Sequence, residues 1–151
     1  MPHALITLVA AALGFLSVLL SPAFAAGSDD GSSATAAAYD EARAMVEAGN
    51  FAAALPALLA ITAEDAGNAD AWNLLGFSHR KLGQMEQSGA AYLVALKLNP
   101  DHLGALEYQG ELFLQTGQPD LAKANLERLK TLCGACEEYE DLSRAISQAG
   151  A

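Results

Sequence analysis

Residues 69–100 read ADAWNLLGFSHRKLGQMEQSGAAYLVALKLNP, and two apolar stripes within them decide the fold. Trp72, Leu75, Gly76 and His79 recur at spacings of three and four before Gly83, and Tyr92, Ala95, Leu96 and Leu98 form a second stripe after it. That spacing is the mark of a helix with one buried face. Two amphipathic runs of about 14 residues, separated by a glycine and a polar residue, describe an antiparallel helix pair with a tight turn. Glycine suits the turn because a left-handed backbone after a helix end costs it nothing.

Moving outward in steps of 34 residues, Gly49, Gly83 and Gly117 fall in register, followed by Asn50, Gln84 and Gln118. Met45, His79 and Phe113 align, as do Ala54, Ser88 and Ala122, then Leu58, Tyr92 and Leu126, then Ile61, Ala95 and Leu129. A repeat of this length marks stacked units, none of which buries its apolar face alone. Ala42, Gly76 and Gly110 leave one point of a helix face without bulk, and Ala54, Ser88 and Ala122 do so on the opposing helix. Small residues there let paired helices approach closely.

The middle copy resembles a tetratricopeptide repeat (TPR), with Trp72, Leu75, Gly76, Gly83, Tyr92, Ala95 and Pro100 matching its pattern directly. His79 stands where that family prefers Tyr, and Ser88 where it prefers Ala. The third copy keeps Gly110, Phe113, Gly117, Ala122 and Leu126, with Leu106 for the Trp and Gly134 for the Pro. The first copy keeps Gly49, Phe51, Ala54 and Leu58. The resemblance covers residues 35–136 and implies an all-α, antiparallel helix-pair solenoid of three TPR-like repeats, 35–68, 69–102 and 103–136.

Helices are expected near 35–48, 51–65, 69–82, 85–98, 103–116 and 119–132. A seventh, the C-terminal capping helix in 137–151, carries Tyr139, Leu142, Ala145, Ile146 and Ala149 on one apolar stripe. A stack needs such an end piece with one wet face.

The amino-terminal part is of another kind. Residues 4–20 are apolar, Pro22 and the small-x-small string Ala23-Phe24-Ala25 follow, and no charged side chain occurs before Asp29. This pattern reads as a signal peptide over 1–25, cleaved after Ala25, although Lys and Arg are missing ahead of the apolar block. An uncleaved membrane anchor is the alternative, since the block approaches the ~17–25 apolar residues that span a bilayer. Residues 26–34, rich in Gly, Ser and Asp, read as a flexible linker. The whole formal charge of −10 falls after residue 28 and argues against nucleic acid and anionic membrane surfaces as partners. The expected location is periplasmic or secreted, as for an exported bacterial TPR protein.

In the resembled family the first helix of each pair lines a concave groove that receives another protein's peptide or helix. Carried onto this chain, the groove positions are Tyr39, Asp40 and Arg43, then Asn73, Phe77, Arg80 and Lys81, then Glu107, Tyr108 and Glu111. Phe77 and Tyr108 are the stronger anchors, since exposed aromatics on a binding face tend to carry its energy. Some relatives clamp a terminal carboxylate with Lys and Asn residues. Here only Asn73 fits, with Tyr39 and Glu107 at the other places, so no such clamp is expected.

The only two cysteines, Cys133 and Cys136, lie in the turn before the capping helix. The c-type haem link requires a His after the second cysteine, where Glu137 stands. A structural zinc needs about four ligands, and His79 and His102 belong to a packing position and an earlier turn. A disulfide pinning the cap is the leading expectation in an exported chain. Redox activity remains open, because Cys136 lies near a helix amino terminus, as do two reduced thiols.

Glu137, Glu138, Glu140 and Asp141 read as a charge-favoured first turn. Neither a Ser-His-Asp arrangement nor a phosphate loop is present, and no cofactor is implied. The sequence thus points to a non-enzymatic protein-protein adaptor of the cell envelope. A small thiol-disulfide protein using Cys133 and Cys136 and a membrane-anchored TPR assembly factor are the alternatives.

Overall fold

The computed structural model describes residues 29–150. The signal or anchor segment and its cleavage site lie outside the described residues. Among the described residues seven helices run in order: α1 Asp29–Glu47, α2 Phe51–Glu64, α3 Ala69–Lys81, α4 Met85–Leu98, α5 Leu103–Gln115, α6 Pro119–Cys133 and α7 Glu137–Gln148. Helices α1 and α2, α3 and α4, and α5 and α6 pack as successive antiparallel pairs, and α7 packs on both α5 and α6. This is the all-α, TPR-like solenoid the 34-residue register predicts. Among the described residues no helix is long and apolar enough to cross a membrane.

The helix ends follow local chemistry. Gly49, Gly83 and Gly117 close the first helix of each pair with φ of +76°, +75° and +72°, a conformation that side chains with a Cβ rarely adopt. Asn68 caps α3 by accepting from the Ala71 N–H at 2.9 Å, and His102 caps α5 by accepting from the Ala105 N–H through Nδ1 at 3.2 Å. One difference lies at the amino end. Helix α1 begins at Asp29 and takes in residues 29–34, which the sequence reading assigns to the linker. The alanines at 34 and 36–38 have the highest helix propensity and extend the helix in that direction.

The core has two parts. Ala42, Val46, Ala54, Leu58, Ile61, Ala71, Leu75 and Ala91 form one beneath α1–α4, while Leu106, Ala122, Leu129, Leu142 and Ile146 form the other beneath α5–α7. Trp72 flanks the first, and its indole N–H donates to the Ala66 carbonyl at 3.1 Å, tying α3 to the preceding turn.

Gly76 and Gly110 show what the small positions are for. A Cβ on Gly76 would lie 2.7 Å from two ring carbons of Tyr92, which is fully buried. A Cβ on Gly110 would lie 2.6 Å from both methyls of Leu142. Each glycine makes room for a large side chain whose burial contributes about 1.5–3 kcal/mol. In the second repeat that side chain comes from the paired helix, and in the third it comes from the cap.

Cys133 and Cys136 are joined by a disulfide across the α6–α7 turn. Cys133 ends α6, Gly134 follows with φ of +72°, and Cys136 is the N-cap residue of α7. The bridge therefore fixes where the capping helix leaves the last repeat.

Candidate functional site

Helices α1, α3 and α5, the first of each pair, lie side by side, with α7 next to α5 in the place of a further first helix. Of the residues singled out as groove positions, Arg43, Phe77 and Tyr108 come together around one cavity. Phe77 is the centre: its ring lies 4.6 Å from that of Tyr108 and 5.8 Å, edge-on, from that of Phe51. Arg43, Val46, Glu47, Phe51, Leu74, Phe77 and Tyr108 surround a cavity of about 390 Å³. The aromatic walls come from three different pairs, so only the stack assembles them.

Cations sit over these rings. The Arg80 guanidinium carbon lies 5.4 Å from the Phe77 centroid and 5.8 Å from that of Tyr108, and Lys81 Nζ lies 5.2 Å from the Phe77 centroid. Arg80 also pairs with Glu111 at 2.5 Å. This pair bridges α3 and α5 beside the two aromatic residues. Burial, then the Glu107 and Glu111 carboxylates, pushes the Tyr108 phenol up to about 12. The Tyr92 phenol is raised too, chiefly by burial, with Arg80 opposing.

The remaining positions divide by exposure. Arg43 is exposed and pairs along its own helix with Asp40 at 3.3 Å and Glu47 at 3.8 Å, contacts that contribute little on a wet surface. Tyr39 is half-buried against the first core, and its phenol is raised by burial and by Asp70. Asn73 and Arg80 correct the sequence reading, which pointed both away from packing. They are 7% and 5% exposed. Neighbouring first helices approach closely: a Cβ on Gly104 of α5 would lie 3.3 Å from the Asn73 amide nitrogen. Asn73 is therefore no open surface group.

Glu107 is also buried, at 7% exposure. Burial, then the charges of Glu111, Asp141 and Glu138 with Arg80 opposing, lifts its carboxyl to about 8. A neutral carboxyl near neutral pH is the consequence.

Both histidines of the repeats have structural partners. His79 Nδ1 lies 2.6 Å from the Gln84 side-chain oxygen, and His102, whose Nδ1 caps α5, places Nε2 3.0 Å from the Asp70 carboxylate.

Sequence reasoning missed Phe51 as a wall of the cavity, although it singled out this residue as a repeat position. The signal available was its place next to the Gly49-Asn50 turn, which sets the start of α2 beside the end of α1.

With this geometry in place, the family model described as "Tetratricopeptide repeat" matches residues 39–102 and 78–130, together more than half of the chain. The chain belongs to the tetratricopeptide repeat family. Solved structures share the TPR fold. The Yersinia enterocolitica type III secretion chaperone SycD, in complex with a peptide of the translocator YopD, is 19% identical with a TM-score of 0.67, covering 78% of this chain and 89% of that one. PcrH in complex with the chaperone binding region of PopD is 22% identical, with a TM-score of 0.68 over 79% of this chain and 90% of that one. The second TPR domain of human RPAP3, in complex with the HSP70 peptide SGPTIEEVD, is 16% identical with a TM-score of 0.70, covering 80% and 98%. No curated protein matches the sequence. At these identities the likeness is one of fold.

Proposed function

We propose that this TPR protein is a non-catalytic adaptor of the cell envelope that docks a segment of another protein against the shared face of α1, α3 and α5. The observation that carries the reading is the cavity walled by Phe51, Phe77 and Tyr108, partly exposed aromatics with the Arg80–Glu111 pair beside the latter two. Such residues supply large contact area at small entropic cost. SycD, PcrH and RPAP3, whose folds are similar, were solved with peptides or regions of partner proteins. Export is supported by the apolar run 4–20 ahead of Ala23-Phe24-Ala25, and a periplasmic or secreted location follows from it.

The thiol-disulfide alternative has less support. Cys136 is the N-cap of α7, but Glu137, Glu138 and Glu140 occupy its first turn and disfavour a thiolate there.

Site-specific photocrosslinking tests the adaptor reading. A crosslinker at Tyr108 is expected to capture a discrete partner, and Phe77→Ala to abolish that capture. A crosslinker at Leu93, an exposed residue of α4, is expected to capture none. Equal capture from both positions would reject the groove. Intact mass of the exported protein tests cleavage after Ala25.

A further inference from the structure

A second cavity of about 390 Å³ lies beside the aromatic one and has a different lining. It sits where α3, α5 and α7 end: Arg80 and Lys81 close α3, Gln115 closes α5 and Gln148 closes α7. Arg80 stands between the two cavities, since its guanidinium lies over the Phe77 and Tyr108 rings and its side chain lines the second space. It is 5% exposed, and its Nε has no hydrogen-bond partner among the described residues. A buried donor so placed costs free energy until an acceptor reaches it. Gln115 and Gln148 are exposed, and the amide of each both donates and accepts.

Charge decides which acceptor fits. Glu111 neutralises Arg80. Lys81 has no carboxylate partner among the described residues, but three helix C-termini, each equivalent to about half a negative charge, converge on the same space. Neither α5 nor α7 has a basic residue in its last turn to offset this. The surroundings are therefore close to neutral. A carboxylate would meet Glu111 and the helix ends, and an ammonium would meet Arg80 and Lys81.

We infer that the docked segment carries an apolar side chain for the cavity of Phe51, Phe77 and Tyr108 and, a few residues along, an Asn or Gln whose amide enters the cavity between α3, α5 and α7. The amide oxygen accepts from Arg80 Nε, and the amide nitrogen donates to the side-chain oxygen of Gln115 or Gln148. This rests on the adaptor reading above and adds the chemistry of the partner. The helices set the spacing. Arg80 follows Phe77 by three residues and Glu111 follows Tyr108 by three, so the second cavity lies about one turn, ~5 Å, farther along them. It is also displaced by one helix, from α1, α3 and α5 to α3, α5 and α7, a step of ~8–10 Å. An extended chain covers that distance in roughly three residues.

Selection of short random peptides on the disulfide-intact protein tests the inference. Peptides with an aromatic or aliphatic residue and an Asn or Gln roughly two to four positions away are expected to dominate. Changing that Asn or Gln to Ala, Asp or Lys should weaken a selected peptide by about tenfold. Gln115→Ala and Gln148→Ala, both at exposed positions, should together weaken it by about threefold and leave the binding of its Ala version unchanged. A general loss of packing would weaken both peptides alike. Peptides lost with Phe77→Ala that carry acidic, basic or only apolar residues at this place, or that show no such coupling, would overturn the amide assignment and leave the groove standing. Peptides indifferent to Phe77→Ala would overturn both.

Discussion

The second repeat and the third repeat with its cap use the same residue for different ends. Gly76 and Gly110 occupy equivalent places, yet Gly76 receives the ring of Tyr92 from the partner helix α4, and Gly110 receives Leu142 from α7. Position 126, equivalent to Tyr92, holds a Leu that is only partly buried beside the second core. The capping helix thus does the filling that the third pair does not do for itself. A repeat glycine marks a place where bulk must arrive, and its position alone does not tell from which helix.

Four sets of substitutions would break or sharpen this comparison. The largest effect should come from Leu142→Ala, which empties the Gly110 site: about 2–5 kcal/mol of stability lost by denaturant unfolding. If α7 were a loosely attached tail, the loss would be negligible.

Next come the glycines themselves. Gly76→Ala drives a methyl against a fully buried aromatic ring, and about 1–3 kcal/mol should be lost despite the better helix propensity of Ala. Gly110→Ala meets the methyl ends of one side chain on a terminal helix, which yields more easily, so its cost should be clearly smaller. The reverse order in thermal unfolding would contradict the account of the two sites.

Opening the Cys133–Cys136 bridge by the double Ser variant should cost less than the ~3 kcal/mol that chain entropy assigns to closing a 15-residue loop, because the loop here is so short. The loss should appear as faster amide exchange confined to α7. Uniform acceleration across α1–α4 would show that the cap is not a local element.

The smallest effect concerns Glu107. Its carboxyl is raised from 4.5 to about 8 in the folded chain, so the folded state holds a proton that the unfolded state has released. The associated stability is fully present below about pH 4.5 and is lost as pH rises through about 8. Glu107→Gln should therefore be more stable than the wild type at about pH 9, by on the order of 1 kcal/mol after partial solvent screening. The two should converge at about pH 4. A constant difference across pH would place the titration elsewhere.

The candidate site was only partly legible. Phe77, Tyr108 and Glu111 could be placed on one face from the repeat register, because helical spacing fixes which side chains share a face. The same register put Asn73 and Arg80 on that face without revealing that both are buried. How closely α3 and α5 approach depends on Gly104 and on the core beneath them. Phe51 was missed as a wall because it lies on a second helix, and only the angle of the Gly49-Asn50 turn brings it to Phe77.

By itself, the sequence determined the helices and their order. Apolar spacing, the glycine turns at Gly49, Gly83 and Gly117, and the 34-residue register act over a few residues at a time, so they are written locally. Only the tertiary structure decided that Leu142 fills the Gly110 site, that Arg80 bridges Glu111 beside two rings, and that Glu107 is buried. Each of these depends on distances between helices far apart in the chain, and such distances are set by packing the whole stack at once.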